Sequence, residues 1–280
     1  MTLGLFDPAF LGGLAAPSPG AWTPADITTA LWLDAADSGT VTTVSGAVSQ
    51  WDDKSGNSRS ASQSASGIRP TYSATGFNGK PGIVFNGSSQ LLEITNALSL
   101  TRNIGSISFF FAAHTSGLTG SNQSLMTFPI GTNASDRVSC AYLQDTKLRI
   151  AGRRLDTDSF AGASSSGSWN TSPAVLCFQW DFAAAKASIF YNGANGDPLE
   201  ATLHTAGNTS DTDSTVNPKI GATATGTGNF FNGPIAEAVV TTNTITATIR
   251  QKIEGYLAHK WELTANLPSD HPYKTVGPTS

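Results

Sequence analysis

Glycine and proline set the limits on what this chain can become. Its 280 residues include 28 Gly and 14 Pro, which punctuate it from end to end. In a helix interior Gly costs about 1 kcal/mol and Pro about 3 kcal/mol relative to Ala. The strong helix former Glu occurs only at positions 93, 200, 237, 254 and 262. Ser, Thr, Asn and Gly fill the places that Lys and Glu take in a helical protein, and only 13% of residues are charged. The chain therefore reads as β-rich and loop-rich, long enough for one large all-β domain or two small ones. No internal repeat and no linker divides it into balanced halves.

Between the breakers lie short strand-like runs: Ala30–Ala35, Ala47–Trp51, Gly82–Phe85, Ser106–Ala113, Arg137–Leu143, Lys147–Ala151, Ala174–Asp181, Ala187–Tyr191 and Ile235–Thr241. In Ala187–Tyr191, residues 187, 189 and 191 share one face, and Asn192-Gly193 then starts a turn that Asn195-Gly196-Asp197 extends. Many short strands separated by turn signals predict an antiparallel two-sheet sandwich or jelly roll. One long helix is predicted at about 247–261. Its apolar stripe is Ile249, Ile253, Tyr256, Leu257 and Trp261, with Thr246 as N-cap. Thr23-Pro24-Ala25-Asp26 predicts a capped helical turn at the domain start.

These signals divide the chain into an extension at 1–22, a sandwich at 23–275 including the helix, and a tail at 276–280. The extension holds Leu3, Leu5, Phe6, Phe10, Leu11 and Leu14, but its Gly and Pro residues deny it a regular element, so it is expected to act as an assembly arm in a groove of another chain. No run approaches the roughly 20 apolar residues of a membrane span. The first residues lack the basic and apolar pattern of a Sec signal. A net charge of −4 with no basic stripe argues against nucleic acid as a partner. Cys140 and Cys177 lie in strand-like runs and read as buried thiols, a disulfide between them being the alternative.

There is no Gly-x-Ser-x-Gly elbow, Walker loop, HExxH or zinc-finger spacing, and the histidines at 114, 204, 259 and 271 are scattered. No catalytic residue is assigned. Calcium is the one cofactor considered, with Asp211 and Asp213, or Asp156 and Asp158, as oxygen donors in Ser/Thr/Gly-rich loops. Asp52, Asp53 and Asn57 form a third set, read in preference as a tight turn closed by side-chain-to-backbone bonds. An aromatic platform in a loop is the mark of a glycan site, and Trp169 with Asn170 is the candidate. Trp32, Trp51, Trp180 and Trp261 sit in strand or helix patterns and read as core.

An ordered set of motifs adds a resemblance. Leu31-Trp32-Leu33-Asp34-Ala35 is followed by Trp51-Asp52-Asp53-Lys54-Ser55-Gly56-Asn57, by Arg69-Pro70-Thr71-Tyr72 and by Asn78-Gly79-Lys80-Pro81-Gly82-Ile83-Val84-Phe85-Asn86-Gly87. Far downstream stand Phe231-Asn232-Gly233-Pro234-Ile235-Ala236-Glu237 and Glu254-Gly255-Tyr256-Leu257-Ala258-His259-Lys260-Trp261. This order resembles the laminin-G-like, concanavalin A-like jelly-roll domains of bacterial surface proteins and phage virion proteins, over about residues 30–273. The resemblance implies a jelly roll with the helix packed outside. Glycanases of this fold carry a Glu-x-Asp-x-x-Glu strand cluster that this chain lacks, with Glu237 standing alone. The expected protein is a non-enzymatic component of a phage or phage-like particle, on its exterior, oligomeric, held by its arm to other virion proteins and binding a host surface polysaccharide. The alternative is a bacterial surface or secreted carbohydrate-binding module, and the third reading is a glycan-active enzyme with an unfamiliar site.

Overall fold

The structure is a computed structural model that describes residues 20–131, 135–142, 146–167, 171–195 and 203–280. Its strands in chain order begin with β1 (Leu31–Asp34), β2 (Val41–Val44), β3 (Ala47–Trp51), β4 (Ala61–Ser62), β5 (Thr71–Phe77) and β6 (Lys80–Asn86). Next come β7 (Leu92–Ile94), β8 (Ser106–Ala113), β9 (Gln123–Pro129), β10 (Asp136–Tyr142), β11 (Leu148–Gly152) and β12 (Ala161–Ser164). The last are β13 (Ala174–Asp181), β14 (Lys186–Tyr191), β15 (Ala194–Asn195), β16 (Lys219–Ile220) and β17 (Asn232–Thr241), followed by the helix α1 (Ala247–Lys260). All pairings are antiparallel. One layer runs β5–β6–β17–β8–β13–β14–β15, with β1 beside the second half of β17. The other runs β2–β3–β4–β7–β16–β9–β10–β11–β12. This is the predicted two-sheet jelly roll.

The strands of the first layer are buried on both faces, and their alternation explains how. In β8, Ile107, Phe109 and Phe111 point into the core between the sheets, while Phe110 and Ala112 join a second core under α1. In β13, Leu176, Phe178 and Trp180 face the sandwich core, and Val175 and Cys177 face the helix. Cys140 and Cys177 are free, buried, and assigned to these two different cores. Burial pushes both thiols well above their usual pKa.

The helix forms where predicted. The Thr246 hydroxyl accepts from the Ile249 N–H (3.2 Å), and Ile253, Leu257 and Trp261 are fully buried. Its seating depends on a β-bulge, because the β17–β8 register shifts between Ile235 and Glu237. Ala236 and Glu237 therefore both face the helix, and the Glu237 carboxylate lies with no exposed surface beneath it. It accepts the indole N–H groups of Trp32 and Trp261 (2.7 Å each) and the Tyr256 hydroxyl (2.9 Å), and pairs with Lys260 (2.8 Å). Lys260 also reaches Asp34 (2.7 Å), which Lys54 binds from the turn after β3 (2.9 Å).

The described ends meet on this helix side. Trp22 is buried, edge-on to Tyr256 at 6.2 Å, and its N–H donates to the Pro278 carbonyl (3.1 Å), while Ala21 and Thr279 form a bridge. The domain thus takes in Gly20–Trp22 and Pro278–Ser280, which the sequence reading leaves to the extension and the tail. Leu3, Leu5, Phe6, Phe10, Leu11 and Leu14 lie outside the described residues. Tyr273 packs where a Cβ on Gly255 would sit, 2.4 Å away, so the helix glycine is required for the tail to dock. Among the described residues no helix is long and apolar enough to cross a membrane.

Two stability predictions follow from this packing. Glu237→Ala strands buried donors and Lys260, and is expected to cost about 3–5 kcal/mol in equilibrium urea denaturation. Trp261→Ala is expected to cost a similar ~3–5 kcal/mol through lost volume and the lost hydrogen bond. A loss within error of zero for either would mean that the helix is not part of the core.

Candidate functional site

The sequence-predicted sites fall in different places. Trp169 and Asn170 lie outside the described residues. The four candidate calcium ligands are described, and arginines engage all of them. Asp211 and Asp213 pair with Arg102 (3.5 and 3.1 Å). Asp156 pairs with Arg137, whose side chain is only 1% exposed, and accepts from the Thr212 hydroxyl (2.9 Å). Asp158 faces Arg154 at 4.0 Å and accepts the Leu155 N–H (3.0 Å). Among the described residues no group of three potential ligands converges on a metal position. Each carboxylate already has a cation, which removes the excess negative charge that a calcium site needs.

The third acidic set is the turn that its sequence predicts. Asp53 accepts the N–H groups of Trp32, Ser55 and Arg59, and Asn57 donates to the Thr29 carbonyl. His259 bonds the Tyr273 carbonyl (2.9 Å) and so pins the tail. The buried pair Asp34 and Glu237 shares Lys260 beneath the helix rather than opening on a cleft. Glu254 is closed by Arg250 and His271.

A groove lies instead on the outer face of the second layer. There β9, β10 and β11 turn small side chains outward, so Ser124, Ser139 and Ala151 form a floor with room above it. The depression over this floor has a volume of about 130 Å³, and Asn122, Asn229, Asp136, Arg149 and Phe160 line it. A second depression of about 300 Å³ shares Asp136 and Phe160 and continues to Arg153, Thr223 and Thr225. Phe160 is an exposed aromatic residue, at 37%. The Arg153 guanidinium stands over its ring at 5.5 Å.

The electrostatics of the groove are mixed. Burial pushes the Asp136 carboxyl above its ordinary range, while the Ala224 N–H (3.3 Å) and the charge of Arg153 pull it back. Chemically the groove offers an aromatic face, amides, hydroxyls, two guanidiniums and one carboxylate. That set suits a polyhydroxylated ring, which stacks by its C–H face and bonds by its hydroxyls.

Other depressions are less suited. One of about 200 Å³ lies on the helix-side layer among Ser106, Ser108, Gln179, Asp181, Lys186 and Ser188. Its polar groups partly satisfy one another, Gln179 donating to Ser108 (3.2 Å), and the ring of Trp180 is buried in the core. An open hollow of about 520 Å³ near Leu98 at the sandwich rim includes Asp213, which Arg102 holds.

No family model matches the sequence, and no curated protein matches it either. Solved structures do match, and they define the class by fold. The chain is similar to the CBM40 module of the Ruminococcus gnavus IT-sialidase, with a TM-score of 0.50 and 16% identity over 60% of this chain and 93% of that one. It is similar to Trypanosoma rangeli sialidase, solved in complex with 2,3-difluoro-KDN, with a TM-score of 0.54 and 12% identity over 83% of this chain and 33% of that one. A third likeness is to botulinum neurotoxin type C, whose cell entry depends on interaction with two ganglioside molecules. There the TM-score is 0.55 and identity 11%, over 83% of this chain and 52% of that one. At these identities the likeness is one of fold: the chain has a concanavalin A-like jelly roll.

Arg149→Ala is expected to change unfolding stability by less than about 0.5 kcal/mol, and Phe160→Ala, whose ring is partly covered and stacked under Arg153, to cost about 1 kcal/mol. Asp156→Ala, which leaves Arg137 buried without its carboxylate, is expected to cost about 3–5 kcal/mol. Calcium and a chelator are expected to give the same melting temperature. A calcium-dependent rise would restore the metal reading of Asp156, Asp158, Asp211 and Asp213.

Proposed function

We propose that this chain is a non-enzymatic glycan-binding module of the secreted or surface-displayed kind, and that the groove over β9–β11 is its binding face. Exposed Phe160, over a floor of small polar side chains, carries the reading. Part of the Phe160 ring stays in contact with water at the groove edge, and a sugar ring stacked on that part gains contact area and excludes water. The similar folds support the same reading: one belongs to a carbohydrate-binding module and another to a toxin that depends on gangliosides.

The particle role expected from the sequence rests on the resemblance and on the apolar segment at 1–22. None of the three similar structures is a virion component, so the module reading leads. The enzymatic reading is the weaker one, because a single carboxylate, Asp136, lines the groove and buried Asp34, Glu237 and Glu254 are each engaged by a cation.

Incubation of the purified protein on an immobilised glycan array tests this. Retention on a subset of glycans is expected, with about tenfold or greater loss in Phe160→Ala at a temperature where the variant is still fully folded. No reducing sugar is expected to accumulate from the bound glycans. Undiminished binding by Phe160→Ala, or sustained release of reducing sugar, would contradict the proposal.

A further inference from the structure

We propose that the saccharide taken by this groove is acidic, its carboxylate or sulfate held by Arg149; this rests on reading the groove as a glycan site. Arg149 is on β11, and β12 beside it carries Gly162 opposite Ala151. The guanidinium lies across Gly162: a Cβ there would come within 2.6 Å of Nε and 2.8 Å of Nη2. Glycine at 162 therefore makes the space in which Arg149 lies along the groove wall.

The other described arginines are engaged. Arg59 and Arg69 donate to backbone carbonyls, Arg102, Arg137 and Arg250 pair with carboxylates, and Arg154 faces Asp158. Arg153 reaches the Asp158 carbonyl (3.3 Å) and stacks on Phe160. The Arg149 guanidinium has no hydrogen bond or ion pair among the described residues, although it lines the depression that Phe160 borders. A guanidinium offers five N–H donors in a planar fork that matches a carboxylate or sulfate edge. In a chain of net charge −4, a cation left without an acid beside an exposed aromatic is a local device.

Arg153 adds a second positive charge, and its Nε is buried without a partner. Asp136 is the one acid lining both depressions; its Oδ1 accepts from Ala224, and no ion pair within 4.0 Å joins it to Arg149 or Arg153. It is placed to accept sugar hydroxyls, leaving the anionic substituent to Arg149.

The test is an array holding neutral, sialylated, uronate-containing and sulfated glycans, read with wild type, Arg149→Gln and Arg149→Lys. The strongest wild-type hit is then titrated at low and high salt. Acidic glycans are expected among the hits, with about tenfold or greater loss in Arg149→Gln, partial recovery in Arg149→Lys and weakening with salt. The ratio of sulfated to carboxylated hits identifies which anion the fork takes. Binding confined to neutral glycans, or acidic hits that Arg149→Gln retains at full strength, overturns the acidic assignment and leaves the glycan reading standing. Absence of any hit overturns both.

Discussion

A single carboxylate with no contact with water organises the helix side of this fold. Stripping water from a carboxylate is costly unless its lone pairs are filled. Glu237 fills them with two indole N–H groups, a phenol and an ammonium. Those partners come from β1 and α1, and the bulge in β17 aims the carboxylate at them, so the helix has one way to sit. Burial raises the Glu237 carboxyl against the pull of Lys260, and it raises the Tyr256 hydroxyl as well. Through Lys260 and Asp34 the network extends to Lys54.

This network divides the molecule by task. Most of the motifs that carry the family resemblance converge on it: Trp32 and Asp34, the Asp52–Asn57 turn, Glu237, and Tyr256 through Trp261. They encode the frame. The first layer is occupied on both faces, by the sandwich core and by the helix, and the described chain ends are tied down on the same side. The groove over β9–β11 lies on the other layer, away from this network.

Much of the frame was legible in the sequence. The stripe from Ile249 to Trp261, the Thr246 cap and the Thr23–Asp26 capping box are local signals, and local signals survive folding. Strands β8 and β13 were legible as apolar runs because both their faces are buried. Strand β9 was missed: Gln-Ser-Leu-Met-Thr-Phe-Pro shows no alternation, and its polar Gln123 is buried by bonds to Thr115 and Gly117 of the preceding loop and to Asn232 far along the chain. The bulge at Glu237 depends on pairing with β8 and has no signature in its own segment.

The site was less legible, for the same physical reason. Looking for an aromatic in a Gly/Ser-rich stretch selects Trp169, but it applies equally to Phe160 before Ala161-Gly162-Ala163. Strand β12 is too small in its side chains to read as a strand, so nothing in the sequence singles out Phe160 beside it. Period-2 alternation in 147–151 does place Arg149 opposite Leu148 and Ile150, but only the pairing of β11 with β12 reveals Gly162 beneath the guanidinium. Acid spacing selected the calcium candidates, and it says nothing about which arginines the fold brings to them. The most direct measurement is a backbone amide NMR map during titration with the strongest acidic glycan. Shifts clustered at residues 122–124, 136–139, 149–153, 160 and 229, with the 247–260 helix silent, are predicted. Shifts centred on the helix-side hollow at residues 106–108 and 179–188 would contradict the account.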